Sequence, residues 1–274
     1  MTYSDQHKTG GQGFTLIEIL IAIAISGLII AALYSFYMMQ KQTGETQQDV
    51  AAVQQDLRGL MQMMAQDIRM AGYAPVDTSG FGFQNNVQFH SNGDGVQDIV
   101  NTDANAIAFT SDMNDASFTG DLQDKSNGKV DYDSGQHQQE QFAYRFWNQG
   151  AVCANRGCIQ RYMPSTDNRW EEVALDIDGL QFLYTLHDGT MTISPAATND
   201  LGNIASVTVT VLARAHSVEP RYRNTEIYRP ASCFQPSLTS NPADCPSAFN
   251  GGQPYNDNRR RQMLTFTVNC RNQR

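Results

Sequence analysis

Residues 19–39 (ILIAIAISGLIIAALYSFYMM) are 21 consecutive positions without a formal charge. As a helix rising about 1.5 Å per residue, such a run covers about 30 Å, the hydrocarbon thickness of a bilayer. Glu18 stands at its front. An ordinary anchor has no carboxylate there, because an ionised group at membrane depth costs about 2.5 kcal/mol or more. This segment restricts the chain to designs in which an apolar helix leads, and it makes Glu18 a residue in need of a partner.

The leader before it, residues 1–13 (MTYSDQHKTGGQG), is polar, with Lys8 and Asp5 cancelling. A secretory signal peptide carries its small-residue cleavage site after an apolar centre of about 7–15 residues. Here Gly13 comes before the apolar run, the run is too long for a signal core, and no A-x-A-like site follows. A plain N-terminal signal anchor is one reading. The order of residues favours another: Gly13-Phe14-Thr15-Leu16-Ile17-Glu18-Ile19-Leu20-Ile21-Ala22 resembles the class III signal of type IV pilins and type II secretion pseudopilins. The resemblance implies that prepilin peptidase cuts between Gly13 and Phe14 on the cytoplasmic side and methylates the new amino terminus. Glu18 then becomes the fifth mature residue, with a role in assembly. The amine at Phe14 and the Glu18 carboxylate can pair within one subunit or between neighbours. A charge pair in low dielectric is favourable mainly when both partners are present.

A length of 274 residues suits one soluble domain on a helical stalk. A net charge of -9 and a pI near 4.9 leave no basic footprint, so nucleic acid is not an expected partner. The clusters Arg221/Arg223 and Arg259-Arg260-Arg261 read as solvated or salt-bridged loop residues. Beyond the apolar run Val50, Val53, Leu57, Leu60, Met64 and Ile68 repeat at 3-4 spacing, so the helix continues with one apolar face. Gly44 and Gly59 weaken it locally, by about 1 kcal/mol each. Ala71-Gly72-Tyr73-Ala74-Pro75 ends it. The stripe is expected to lie on a β-sheet, the alternative being a coiled-coil seam with another subunit.

From 78 to 139 the chain is rich in Asn, Asp, Gly, Ser and Gln, with residues 106–110 as a strand. Asn92-Gly93-Asp94-Gly95 with Asp98, and Asp131/Asp133, offer hard oxygen ligands for calcium, but their spacing departs from the D-x-[DN]-x-[DN]-G loop, and turn chemistry is the simpler account. Strands are expected at 141–147 and 158–163, paired across the loop 148–157, and at 172–186, 204–213 and 263–270. Between the last two lies a proline-rich stretch, 214–258, long enough to be a surface excursion with a task or a flexible insertion. The expected fold is α+β and pilin-like: leader 1–13, transmembrane segment 14–39, soluble half of the helix 40–74, and a β-rich domain with long loops, 75–274.

Asp67-Ile68-Arg69-Met70-Ala71-Gly72-Tyr73 is similar to the D-[IL]-R-x-A-G-Y helix end of PilW-type minor pilins. Gly179–Tyr184 resembles their "GLQFxY" strand, and Arg271-Asn272-Gln273-Arg274 their closing "Arg-Asn-x-Arg". Pseudopilin J of type II secretion is the nearest rival.

Cys153, Cys158, Cys233, Cys245 and Cys270 all follow the apolar segment, which fits an oxidising compartment. Short bridges 153–158 and 233–245 would leave Cys270 over. A bridge from Cys233 or Cys245 to Cys270 fits nearly as well, and spacing alone does not decide. No C-x-x-C or paired His accompanies these thiols, so no zinc site is expected. The histidines are scattered, and no nucleophile elbow, phosphate loop or dinucleotide loop occurs. Asp176 and Asp178 read as solvated carboxylates on an exposed strand face. No catalytic residue, metal or cofactor is expected, and a membrane-tethered enzyme lacks a constellation to support it.

The resemblance implies a minor pilin that initiates or caps a type IV pilus. Its alternatives are a pseudopilin at a type II secretion pseudopilus tip and an anchored adhesin-like binding module. The implied partners are prepilin peptidase, other minor pilins, the major pilin, the inner membrane and the inner-membrane assembly platform. The implied location is the inner membrane, with a periplasmic C-terminal domain, and then the cell surface.

Overall fold

The computed structural model describes residues 13–73, 81–89, 98–111, 141–154, 156–162, 170–197, 200–238, 245 and 247–272. The calcium-like clusters around 92–98 and 131–133 lie, as sets of ligands, outside the described side chains, as do leader residues 1–12. The chain divides into two compact units, Met1–Gln48 and Asp49–Arg274.

Helix α1 runs unbroken over Leu16–Met70, 55 residues, through both glycines that weaken it. In the first unit its apolar side chains are exposed, Ile19 and Leu28 among them. In the second unit the last four residues of the 3-4 stripe are buried, Leu57, Leu60, Met64 and Ile68 each 4% exposed or less, while Val50 and Val53 are half-buried. The stripe thus packs inside its own chain, as the sheet-packing reading has it. Gly72 adopts φ 75 just past the helix, the left-handed C-terminal position that glycine takes without a Cβ clash. Its N–H donates to the Thr110 carbonyl at 2.9 Å and ties the helix end to a strand.

Two antiparallel sheets complete the α+β fold. The first has β1 (Gly82–Phe83), β4 (Ala106–Thr110), β5 (Gln141–Trp147), β6 (Cys158–Tyr162) and β7 (Trp170–Leu175), in the order β1-β4-β5-β6-β7. The second has β8 (Ile177–Leu186), β9 (Met191–Thr192), β10 (Ile204–Arg214) and β11 (Arg261–Asn269), in the order β11-β10-β8-β9. β2 (Val87–Phe89) and β3 (Asp98–Val100) form a separate two-stranded ribbon whose Val87 and Val100 pack with Ala108, Ala143, Tyr162 and Trp170 of the first sheet, and a one-turn helix α2 (Gly150–Cys153) joins β5 to β6. Strand alternation sends Ile107, Phe109, Phe142 and Tyr144 from the first sheet, and Phe182, Tyr184, Val207 and Val209 from the second, into one core with the α1 stripe. Each such side chain contributes about 1.5–3 kcal/mol of burial.

Residues 172–186, expected as one strand, are two. The chain turns at Asp176, which sits at φ 58, and passes from the first sheet to the second. A left-handed residue other than glycine breaks a strand that alternation alone would continue. From the described part of 214–258, Tyr228 and Phe249 pack on Leu212 of the second sheet.

Candidate functional site

The front of α1 is built by its first residues. Thr15 caps the helix: its backbone N–H and its hydroxyl each donate to Glu18 Oε2 at 2.8 Å, and Glu18 N–H donates back to Thr15 Oγ1 at 3.4 Å. This is a capping box, in which the residue three positions into the helix satisfies the cap and is satisfied by it. Glu18 therefore has hydrogen-bond donors within its own chain, although no positive charge is among them. Phe14 is 84% exposed, and a Cβ built on Gly13 meets nothing within 4 Å. Nothing in the fold calls for glycine at 13.

Behind this cap the helix offers a face of Phe14, Glu18, Ile19, Ala22, Ser26 and Gly27. Small residues at 22, 26 and 27 let another helix approach closely beside the carboxylate. The most apolar window of α1 has a mean hydropathy of 2.7 and buries none of its residues, and by length and composition the helix can cross a membrane. An apolar surface of this extent marks a membrane or a partner.

The second unit holds a buried charged staple that sequence reading singled out only as a motif. Asp67, on the core face of α1, accepts from Arg161 Nε at 2.8 Å and Nη2 at 2.7 Å, and from the Tyr144 hydroxyl. Burial, with the Asp67 carboxylate beside it, pushes the Tyr144 hydroxyl well above its ordinary range. The Asp of the Asp67–Tyr73 motif thus fastens the helix to β5 and β6.

Asp176 and Asp178 are not the solvated carboxylates expected. Asp176 accepts from Arg156 Nη2 at 2.5 Å, with Arg214 and His216 also beside it. Burial pushes its carboxyl up, but the hydrogen bonds and charge of Arg156, with His216 and Arg214, outweigh that and hold it below the usual range. Asp178 accepts from Arg214 Nη1 at 3.1 Å and Arg261 Nε at 2.7 Å. There burial wins over both arginines and pushes the carboxyl up. Arg261, read as a loop residue, is the first residue of β11; its side chain is 1% exposed and also grips Asp257. Neighbouring Arg260 pairs with Glu219. Apart from Arg261 and Asp257, four positions apart, these partners are too distant in sequence to leave a local spacing signal.

A cleft of about 790 Å³ runs beside α1, lined by Val53, Leu57 and Leu60 of the helix with Arg156, Ala174 and His216 opposite. Its one His–carboxylate contact, His216 to Asp176 at 3.3 Å, belongs to the ion-pair network around Asp176.

Cys153 is bonded to Cys158 and Cys233 to Cys245, with Cα atoms 5.4 and 5.2 Å apart; Cys270 is a buried free thiol. Burial pushes that thiol up to about 12. The alternative bridges through Cys270 are not formed. Gly157, in the loop closed by the first disulfide, takes φ 65, and a Cβ there falls 1.9 Å from the Ile177 carbonyl.

Residues 10–34 match the prokaryotic N-terminal methylation motif, which includes Gly13 through Glu18. Residues 46–228 match the family described as prepilin peptidase-dependent protein B. Among solved structures the chain is similar to the type IV-like pilin TTHA1219 from Thermus thermophilus, at 14% identity over 81% of this chain and 97% of that one, with a TM-score of 0.42. No curated protein matches it. With well over half of its length matched, from the second half of α1 through the ion-pair corner and into the excursion, the chain belongs to the prepilin peptidase-dependent protein B family.

Proposed function

We propose that this chain is a minor pilin of the PilW type, processed after Gly13, N-methylated at Phe14, and used to initiate or cap a type IV pilus. The observation that carries the proposal is the front of α1: an uncovered apolar helix, a carboxylate in its first turn, and a glycine ahead of it with no role in the fold. The absence of any clash at Gly13 fits a residue kept for a peptidase. Cleavage frees a positive amine at Phe14, four residues from Glu18, and removes the peptide bond that precedes the cap. The amine then offers Glu18 the charge that Thr15 lacks. Docking beside another amino terminus extends the same pairing between subunits, and the small residues at 22, 26 and 27 fit that approach.

The partners in this reading are prepilin peptidase, the inner-membrane assembly platform, other minor pilins and the major pilin. The globular unit lies in the periplasm, where both disulfides are stable. The PilW placement draws on the Asp67–Tyr73 helix end and the Gly179–Tyr184 strand. The buried roles of Asp67 and of Gly179, whose added Cβ lies 2.4 Å from the Phe249 ring, give both motifs a physical reason.

Deletion of the gene is expected to remove surface pili while exoprotein secretion continues. Lost secretion with normal pili overturns this in favour of a type II pseudopilin, and normal pili that no longer attach overturn it in favour of an adhesin. Gly13→Ala is expected to leave the chain at its precursor mass on intact-protein mass spectrometry. Glu18→Ala is expected to be cut normally and to stay out of filaments.

A further inference from the structure

Strand β11 is an edge of the second sheet, paired with β10 on one side only. Just past its ends, Cys270 N–H donates to the Ala205 carbonyl at 2.9 Å and Ala215 N–H to the Arg260 carbonyl at 2.7 Å. Between them the pairing with β10 is unbroken, from Ser206↔Asn269 to Arg214↔Arg261. Antiparallel pairs alternate between hydrogen-bonded and non-hydrogen-bonded, so Gln262, Leu264, Phe266 and Val268 turn their backbone groups toward β10. Met263, Thr265, Thr267 and Asn269 turn theirs away from the sheet. Among the described residues nothing meets those outward groups.

The other terminal strands of the two larger sheets are guarded. β1 and β9 have two residues each, and β7 carries exposed Glu171 and Glu172 beside a register shift against β6. β11 has nine residues, no proline, no bulge, and no charge between Arg261 and Arg271. Shortness, charge, proline and bulges are the devices by which edges avoid pairing, and β11 lacks all of them.

We propose that β11 takes an extended segment of a neighbouring filament subunit, of a different sequence, as an added antiparallel strand; this rests on the filament reading above. Side chains specify the segment. Leu264 and Phe266 pack on the core but remain partly exposed, so apolar residues of the incoming strand extend the core on that face. On the other face Met263, Thr265 and Thr267 are exposed and uncharged, and β-branched or hydroxyl residues pair well with them. Arg271 follows the strand, exposed and without an ion pair among the described residues. Charge complementarity therefore puts a carboxylate at the segment's N-terminal end. A second copy of β11 fails this requirement: residues 259–271 hold no acid, and antiparallel pairing about Thr265 brings Arg259 toward Arg271.

The test is hydrogen–deuterium exchange on the full chain, in detergent and in filaments sheared from cells. Leu264 and Phe266 amides are expected to be protected in both states. Those of Met263, Thr265 and Thr267 are expected to exchange freely in detergent and about a hundredfold more slowly in filaments. A chain present in filaments with these amides still free overturns the strand proposal alone. A chain absent from filaments overturns the filament reading with it. Protection that grows with concentration in detergent assigns the edge to a second copy and also overturns the proposal. Thr265→Pro removes an outward N–H without touching the β10 ladder, and Thr267→Lys adds a charge to the edge. Both are expected to keep Leu264 protection in detergent and to enter filaments about tenfold less than the parent; entry at the parental level overturns the proposal.

Discussion

Asp67 connects sequence motif to fold more directly than any other residue in the globular unit. It sits at a helix position where the 3-4 stripe calls for an apolar side chain, and it is 4% exposed. Its carboxylate is tolerable there because Arg161 and the Tyr144 hydroxyl reach it. Asp67→Ala takes that carboxylate from a buried guanidinium and hydroxyl, and is expected to lower unfolding free energy by about 3 kcal/mol or more in a denaturant titration. Gly179 is constrained differently: Gly179→Ala drives a methyl group into the Phe249 ring and is expected to cost about 1–3 kcal/mol in the same assay. Asp176 governs the response to acid. Its folded pKa lies below the unfolded value, so the stability it contributes is present above about pH 4 and is lost as pH falls through the folded value. Asp178 is shifted upward, so its charge opposes folding at neutral pH and protonation relieves it. Asp176→Asn is therefore expected to flatten the loss of thermal stability below pH 4, as read from Tm against pH.

Among the elements, α1 and most strands follow from local pattern. The stripe from Val53 to Ile68, the Gly72 stop, and the alternation in 204–213 and 263–270 all correspond to observed elements, since each is a periodicity that burial rewards. The corner at Asp176 was not legible. Alternation runs on through it, and what turns the chain is a left-handed aspartate held by Arg156, Arg214 and His216, residues 20 to 40 positions away. Of the two carboxylates that hold Arg261, Asp257 lies four positions earlier within reach of a local reading, but Asp178, 83 positions earlier, does not. The front of the chain, Gly13 to Glu18, was legible almost residue by residue as a motif. The capping box, though contained in Thr-x-x-Glu, was overshadowed by it. The described part of 214–258 reads as loop, with two short 3-10 turns, and the contact of Tyr228 and Phe249 with Leu212 has no local signal. The disulfide at Cys233–Cys245 staples this excursion through a span of 12 residues. Replacing both with Ser is expected to lower stability by about 3 kcal/mol, measured by thermal or denaturant unfolding.

Among the described residues, the buried clusters all belong to the unit Asp49–Arg274, and the apolar side chains of the unit Met1–Gln48 are exposed. If that division is energetic as well as geometric, residues 49–274 produced alone in an oxidising compartment unfold cooperatively, with both disulfides formed. A broad, non-cooperative transition in circular dichroism overturns this. Cys270 adds a temporal dimension to the same unit. It is the last cysteine to be made, 25 residues after Cys245, and its β11 neighbours pair only with a strand completed long before. Shorter loops close at lower entropic cost, which favours Cys233–Cys245, 12 residues apart, over a bridge from either to Cys270. Once β11 docks, burial keeps the remaining thiol protonated and starves it of the thiolate that exchange chemistry needs. Fidelity of pairing is then a matter of schedule. The interval between exit of Cys270 and closure of the second sheet is the only time at which the spare sulfur can compete, and anything that delays β11 lengthens it.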